Sequence, residues 1–225
     1  MLVVFGSSGH HIGWTSRVLE NIRLNTDHVF IHVKNRIEMR QACQNIKDNS
    51  LVIIVGWGWH VPDKILDKHN VVGLHPSDLP KYAGGTPMQH QIINGVSQTK
   101  MSLFELKSVY DTGDIIDKCD LSLAGGIQDI FANLENASID LILKFLDDYP
   151  NYKKTKQKID SNHTILKRLQ HEDGILKKEM YSKMSAKQIY DFIRCREDPY
   201  PNTYYEDETG TVLFKKVEFV KKDNL

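Results

Sequence analysis

His75 and Asp111 are the side chains of this chain best placed to do chemistry. His75 follows an apolar run over residues 70–74 and opens the stretch Pro76-Ser77-Asp78-Leu79-Pro80-Lys81-Tyr82-Ala83-Gly84-Gly85-Thr86-Pro87. Prolines fix φ and the Gly-Gly pair admits unusual φ, so this is a shaped loop. A histidine on such a loop, at a strand end, lies where open α/β sheets bind their ligands. Asp111 begins a turn, Asp111-Thr112-Gly113-Asp114, at the end of another predicted strand, and a sheet could bring the two side by side. An imidazole beside a carboxylate can hold, orient and pass a proton near neutral pH. Asp114 stands in the same turn, where a polar residue often only shapes the backbone.

A second candidate is the glycine-punctuated loop Gly6-Ser7-Ser8-Gly9-His10-His11. It follows a short apolar run and precedes a helical pattern through Trp14, Val18, Leu19 and Ile22. A helix N-terminus after such a turn presents free N–H groups to an anion. The spacing is not GxGxxG, and Lys34-Asn35 stands where a ribose-binding acid is wanted, which disfavours NAD(P). Two readings stay open: plain strand–turn–helix packing, or a loop holding an anionic part of a substrate with Ser7, Ser8 and His10 near it.

The elements that must position these residues follow from hydrophobic period. Residues 28–33, 51–55 and 70–74 read as strands, residues 37–46 and 88–93 as helices, and Pro62 can start a helix through Ile65 and Leu66. Residues 100–107 alternate at period two through Met101, Leu103 and Leu106, and Ile115-Ile116 follows the turn. Residues 128–146 form a long amphipathic helix. Strands alternating with helices predict an α/β fold, a Rossmann-like doubly wound, mostly parallel sheet with a small C-terminal α+β extension. We divide the chain into a sheet domain over residues 1–150, a lysine-rich linker over 151–170 and an extension over 171–225.

Composition narrows the function classes. Lys+Arg and Asp+Glu each number 29, so the net charge is zero, which argues against a general polyanion-binding surface and hence against nucleic acid as partner. Cys43, Cys119 and Cys195 are odd in number and in no CxxC pattern, so neither a disulfide framework nor a zinc site is expected; no metal is invoked. No apolar run reaches membrane-spanning length and the N-terminus lacks a signal-peptide pattern, so a cytoplasmic protein without a membrane partner is expected.

Several motifs together carry a family resemblance. The stretch from His75 to Tyr82, then Gly84 and Pro87, then Ile92-Ile93-Asn94-Gly95, resembles the signature of formyltetrahydrofolate-dependent formyltransferases, and so does Asp111-Thr112-Gly113-Asp114-Ile115. Gly56-Trp57-Gly58-Trp59-His60-Val61-Pro62 is similar to the strand–loop preceding that family's catalytic segment. Glu172-Asp173-Gly174-Ile175 and Asp198-Pro199-Tyr200-Pro201 resemble segments of its C-terminal extension. The tryptophan loop, the His75-to-Asp111 interval and Gly84-Gly85-Thr86-Pro87-Met88-Gln89 are most similar to the branch acting on bacterial amino sugars, pseudaminic-acid-type ones included.

The resemblance implies transfer of a formyl group from N10-formyltetrahydrofolate to the primary amine of an amino sugar, free or nucleotide-linked. It makes His75 the oxyanion stabiliser and Asp111 its orienting partner and proton acceptor. Trp57, Trp59, Val61, Leu79, Asp111, Gly113 and Asp114 are implied to line the folate site; Lys81, Tyr82, Gly84, Gly85 and Thr86 join Ser7, Ser8 and His10 near the amine substrate. Two positions depart from the pattern. Gly73 stands where much of the family has an Asn that supplies a second oxyanion donor, whose loss typically costs about 10²–10³ in rate. Gln89 is the favoured replacement, ahead of Asn70, Ser77 or a bound water; His75 acting alone, or a chain without activity, are the other readings. Ala83 stands where many relatives carry Arg, which leaves Lys81 as the candidate for an anionic substrate. Competing functions are a formyltransferase acting on methionyl-tRNA or a purine precursor, and a folate- or sugar-binding protein without catalysis. Tyr200, Tyr204, Tyr205 and Phe214 of the extension could form a homodimer contact or a satellite core on their own domain.

Overall fold

The computed structural model describes residues 1–8, 12–160 and 164–222. Six strands form one sheet: β1 (Leu2–Gly6), β2 (Val29–Val33), β3 (Leu51–Ile54), β4 (Asn70–His75), β5 (Gln98–Glu105) and β6 (Ile115–Ser122). Their order is β2-β1-β3-β4-β5-β6. The first four are parallel, and β5 and β6 are antiparallel to their neighbours. The sheet is doubly wound because its central strands are apolar on both faces. Val3, Phe5, Leu51 and Ile53 pack against α1 (Ile12–Leu24) and α5 (Ile127–Asp148). Val4, Val52, Ile54 and Val71 pack against α2 (Arg36–Gln44) and α3 (Asp63–Leu66). The fold is the mostly parallel α/β arrangement that strand–helix alternation predicts.

The antiparallel edge departs from simple alternation. Met101, Ser102, Leu103 and Phe104 are consecutively buried, because β5 lies between β4 and β6 and both its faces are covered. Leu106 falls beyond the strand, where its N–H donates to the Val71 carbonyl at 2.8 Å. β6 runs to 8 residues, well past Ile115-Ile116. Edge strands tolerate charge, and Lys100–Asp120 and Lys144–Asp117 ion pairs line it.

The extension contains a 3-10 turn (Glu172–Gly174), α6 (Lys178–Tyr181), α7 (Ala186–Arg194) and the hairpin β7 (Thr203–Asp207) and β8 (Gly210–Phe214). Ser185 caps α7 by accepting from the Gln188 N–H. Arg194, paired with Asp191, docks α7 on the sheet domain by donating to the carbonyls of Leu123 (2.7 Å) and Gly125 (2.8 Å). Of the extension's aromatics, Phe214 joins a small cluster with Leu176, Phe192 and Ile193, while Tyr204 stacks on His171. Among the described residues no helix is long and apolar enough to cross a membrane.

The segment expected to be a linker, in its described parts 151–160 and 164–170, meets the ends of the strands that carry the candidate site. Thr155 and Ile115 exchange backbone hydrogen bonds at 2.8 Å. Further along, the Leu166 N–H donates to the Ala83 carbonyl and the Gly85 N–H to the Leu166 carbonyl, both at 2.8 Å. This segment is a strap whose backbone extends the loop after β4.

Candidate active site

β4 delivers His75 to the edge of the sheet, opposite Ser102 of β5. The loop beyond is shaped by its own polar groups. The Ser102 hydroxyl donates to the Ser77 carbonyl, and the Ser77 hydroxyl to the Lys81 carbonyl, each at 2.7 Å. Lys118 Nζ donates to Asp78 and to the Leu79 carbonyl, both at 2.6 Å, and Gln91 Nε2 donates to the Pro76 carbonyl at 2.7 Å. Tyr82 is held at φ 56°, which turns its carbonyl towards the His75 ring.

His75 Nε2 lies 2.9 Å from the Tyr82 carbonyl oxygen. A carbonyl only accepts, so Nε2 carries a proton. His75 Nδ1 lies 3.6 Å from Asp111 Oδ2. That separation is beyond a hydrogen bond but within ion-pair range, so Nδ1 is the ring atom at which a proton can be taken up or passed. The Asp111 carboxylate is itself fixed: Oδ2 accepts from the Gly84 N–H at 2.7 Å. Both side chains are mostly buried, 8% and 17% exposed, which strengthens their mutual electrostatics. The structure brings the two sequence-selected residues together.

The Asp111 turn is a tight one. Asp111 has φ 55°, and a Cβ at Gly113 would stand 1.6 Å from the Glu105 carbonyl oxygen, so only glycine fits there. Gln157 of the strap donates through Nε2 to the carbonyls of Asp111 (2.8 Å) and Gly113 (2.7 Å). Nothing in the chain's motifs singles out Gln157; a polar residue in a lysine-rich stretch carries no local signal. Asp114 is covered about as far as Asp111, and its hydrogen bond from Lys107 holds its carboxyl below the usual range. A cleft of about 370 Å³ opens beside this turn, lined by Leu66, Asp67, Leu106, Lys107, Val109 and Thr112. His60 of the loop after β3 meets Tyr110 edge-on, ring centroids 5.5 Å apart.

The remaining sequence-selected residues fall into three groups. Trp57 and Trp59 meet edge to face at 4.9 Å, with Trp57 packed on the α2–α3 cluster and its buried indole N–H without a partner among the described residues. Val61 and Leu79 are buried at 4% and 2% exposure, so their side chains belong to the core and only their backbone could meet a ligand. In the first loop, Ser7 Oγ is hydrogen-bonded to His32 Nε2 at 2.8 Å, and Ser8 Oγ donates to the Gly56 carbonyl at 2.7 Å. His10 lies outside the described residues. In the second loop, Lys81 is exposed, and the Tyr82 phenol accepts from Asn94 at 3.2 Å. Gly84, Gly85 and Thr86 meet the strap, with Thr86 Oγ1 accepting from the Leu169 N–H at 3.0 Å.

Gln89 is buried in α4 (Pro87–Ile93) and hydrogen-bonded to the Tyr200 phenol rather than to His75 or Asp111. Burial pushes that phenol up to about 12, against the Gln89 bond and the Arg168 charge. At Gly73 a Cβ would stand 2.5 Å from Leu106 Cδ1. A leucine methyl thus fills the space that a side chain on residue 73 would need. Ala83 is wholly buried in a cluster with Leu79 and Phe104, which has no room for a longer, charged residue.

Residues 25–126 match the family model described as formyl transferase. A methionyl-tRNA formyltransferase of Rickettsia bellii is 26% identical over 186 residues, covering 79% of this chain and 58% of the relative, so the chain spans less than two thirds of that protein's length. A solved methionyl-tRNA formyltransferase from Clostridium thermocellum superposes with a TM-score of 0.82 at 23% identity, covering 98% of this chain and 94% of the other. A 4-N formyltransferase from Francisella tularensis gives a TM-score of 0.73 at 17% identity, covering 97% and 98%.

Proposed function

We propose that this chain, whose residues 25–126 match the formyl transferase family model, moves a formyl group from N10-formyltetrahydrofolate to the primary amine of a nucleotide-linked amino sugar. The observation that carries the reading is the His75–Asp111 pair, 3.6 Å apart at the end of β4 and beside an open cleft. Formyl transfer to an amine develops negative charge on the formyl oxygen and requires the amine to lose a proton. His75, protonated on Nε2 and able to carry a second proton on Nδ1, serves as donor to that oxygen. Asp111, anchored by the Gly84 N–H and 3.6 Å from the imidazole, serves as proton acceptor, directly or through water, and that proton passes to the departing N10 of tetrahydrofolate as the tetrahedral intermediate collapses.

The cleft walled by Leu66, Leu106 and Val109, with Asp67, Lys107, Ser108 and Thr112 beside them, offers the apolar surface and few polar groups that suit the pterin ring of a folate. With Leu106 filling the space at Gly73 and Gln89 committed to Tyr200, the proposed oxyanion donor is His75, without an Asn or Gln partner.

A second reading, transfer to methionyl-tRNA, is favoured by the curated relatives. The balance of 29 basic against 29 acidic residues supports the small-molecule amine over a polyanion. Single-turnover assays with N10-formyltetrahydrofolate decide: formyl transfer to a panel of nucleotide-linked amino sugars supports the proposal. Transfer to methionyl-tRNA alone, or tight folate binding with no transfer, overturns it.

A further inference from the structure

The strap places a cation, Arg168, beside the loops that end β1, β3 and β4. Leu166 forms a parallel bridge with Gly84, which sets the Arg168 backbone directly over Gly85. A Cβ on Gly85 would stand 2.6 Å from both the Arg168 N and Cα atoms. Glycine there is what lets the strap approach. The Lys167 carbonyl, accepting from His90 at 3.0 Å, and the Leu169 N–H on Thr86 fix the backbone on either side of Arg168.

From that seat the guanidinium crosses to the loop after β3. Arg168 Nη2 donates to the Gly58 carbonyl at 3.4 Å, and both Nη atoms lie within 3.7 Å of the point where a Cβ on Gly58 would be. Ser8 Oγ of the first loop lies 4.0 Å from the same point. Three strand ends therefore meet at one positive charge. Lysines of the His75 and Asp111 segments are paired, Lys107 with Asp114, Lys118 with Asp78 and Lys154 with Glu105. Among the described residues Arg168 has no such carboxylate partner, and the residue is exposed, so N–H groups beyond the Gly58 contact are open to a ligand. A guanidinium fork matches phosphate oxygens two at a time.

We propose that Arg168 is the specificity-determining residue for the amine substrate, binding the diphosphate by which that substrate is linked to its nucleoside, between the loops that end β3 and β4. The assignment rests on the formyl transfer reading given above. It places the anion contact on the strap, in a chain whose β4 loop has a buried alanine at residue 83.

Two measurements on the full chain separate this assignment from the activity itself. Calorimetric titration with uridine and thymidine diphosphate, without amine or folate, compares wild type with Arg168→Gln and Arg168→Lys. The dissociation constant is expected to rise about 10- to 100-fold in Arg168→Gln, with Arg168→Lys in between because it keeps the charge and loses the fork. In formyl transfer to a diphosphate-linked amino sugar, KM should rise by a similar factor with kcat within about threefold. Equal diphosphate affinity in wild type and Arg168→Gln, or none in wild type, overturns the role of Arg168. Arg168-dependent diphosphate binding without formyl transfer to any amine keeps the site and removes the activity. Transfer with unchanged KM in Arg168→Gln keeps the activity and removes the site.

Discussion

The loops that end β1 and β4 are both punctuated by glycine and serine, yet they are built for different ends. In the first, Ser7 and Ser8 direct their hydroxyls inward, to His32 and to the Gly56 carbonyl. Gly6 is needed there only because a Cβ would stand 2.6 Å from the Met39 methyl, the far end of a flexible side chain. In the second, Ser77 shapes the loop while His75 and the Gly84 N–H converge on one carboxylate. What a Cβ on Gly84 would meet is backbone: the Leu166 carbonyl oxygen at 2.4 Å and its nitrogen at 2.6 Å, with φ at +105°. A glycine that yields to a side chain serves packing. A glycine that admits a second backbone brings a distant segment to the site.

The largest break in this comparison is expected from the proposed chemistry. His75→Gln or Asp111→Asn should slow formyl transfer by about 10²-fold or more, with folate affinity staying near that of wild type in His75→Gln. Single-turnover rates within about threefold of wild type for either variant would remove that residue from the mechanism.

Next come the glycines. Gly84→Ala combines backbone strain with a backbone clash and should cost about 2–3 kcal/mol, with faster proteolysis within residues 151–170 as the strap lifts. Gly6→Ala, opposed by a methionine methyl, should cost under about 1 kcal/mol. Denaturant unfolding of both variants checks the order, and equal losses would erase the distinction between the two loops.

The smallest effect concerns His32, which anchors Ser7. Burial is the main cause holding its pKa below the ordinary 6.5, with Lys34 and Arg23 adding to it. The unfolded chain therefore takes up this proton first. The stability contribution is full above about pH 6.5 and is lost as pH falls from there through the lower folded-state value. The drop in Tm between pH 7.5 and pH 5.5 should be smaller in His32→Gln than in wild type, and an identical drop would show that His32 stays uncharged or exposed in both states.

Much of this arrangement is legible in the chain. The central strands are announced by unbroken apolar runs rich in β-branched residues, such as Leu51-Val52-Ile53-Ile54, and the helices between them by their period. His75 and Asp111 stand out because each sits beside glycines and prolines that leave the backbone little choice of path. Three features are not legible. Gln157 and Arg168 lie in a lysine-rich stretch with no hydrophobic period, so composition suggests only a linker. Leu106 looks like the last member of an alternating strand, and nothing local says that its methyl fills the space at Gly73. Gln89 is buried as its place in α4 suggests, but its amide finds Tyr200, a partner in the extension.

Local sequence, then, determined that the parallel strands form and which two ionisable side chains stand beside them, because propensity, period and restricted φ act over a few residues. Tertiary structure alone decided the 3.6 Å approach of His75 to Asp111, the closure of the Gly73 position and the course of the strap. Those depend on contacts between segments dozens of residues apart, which only the packed sheet can bring within hydrogen-bonding reach.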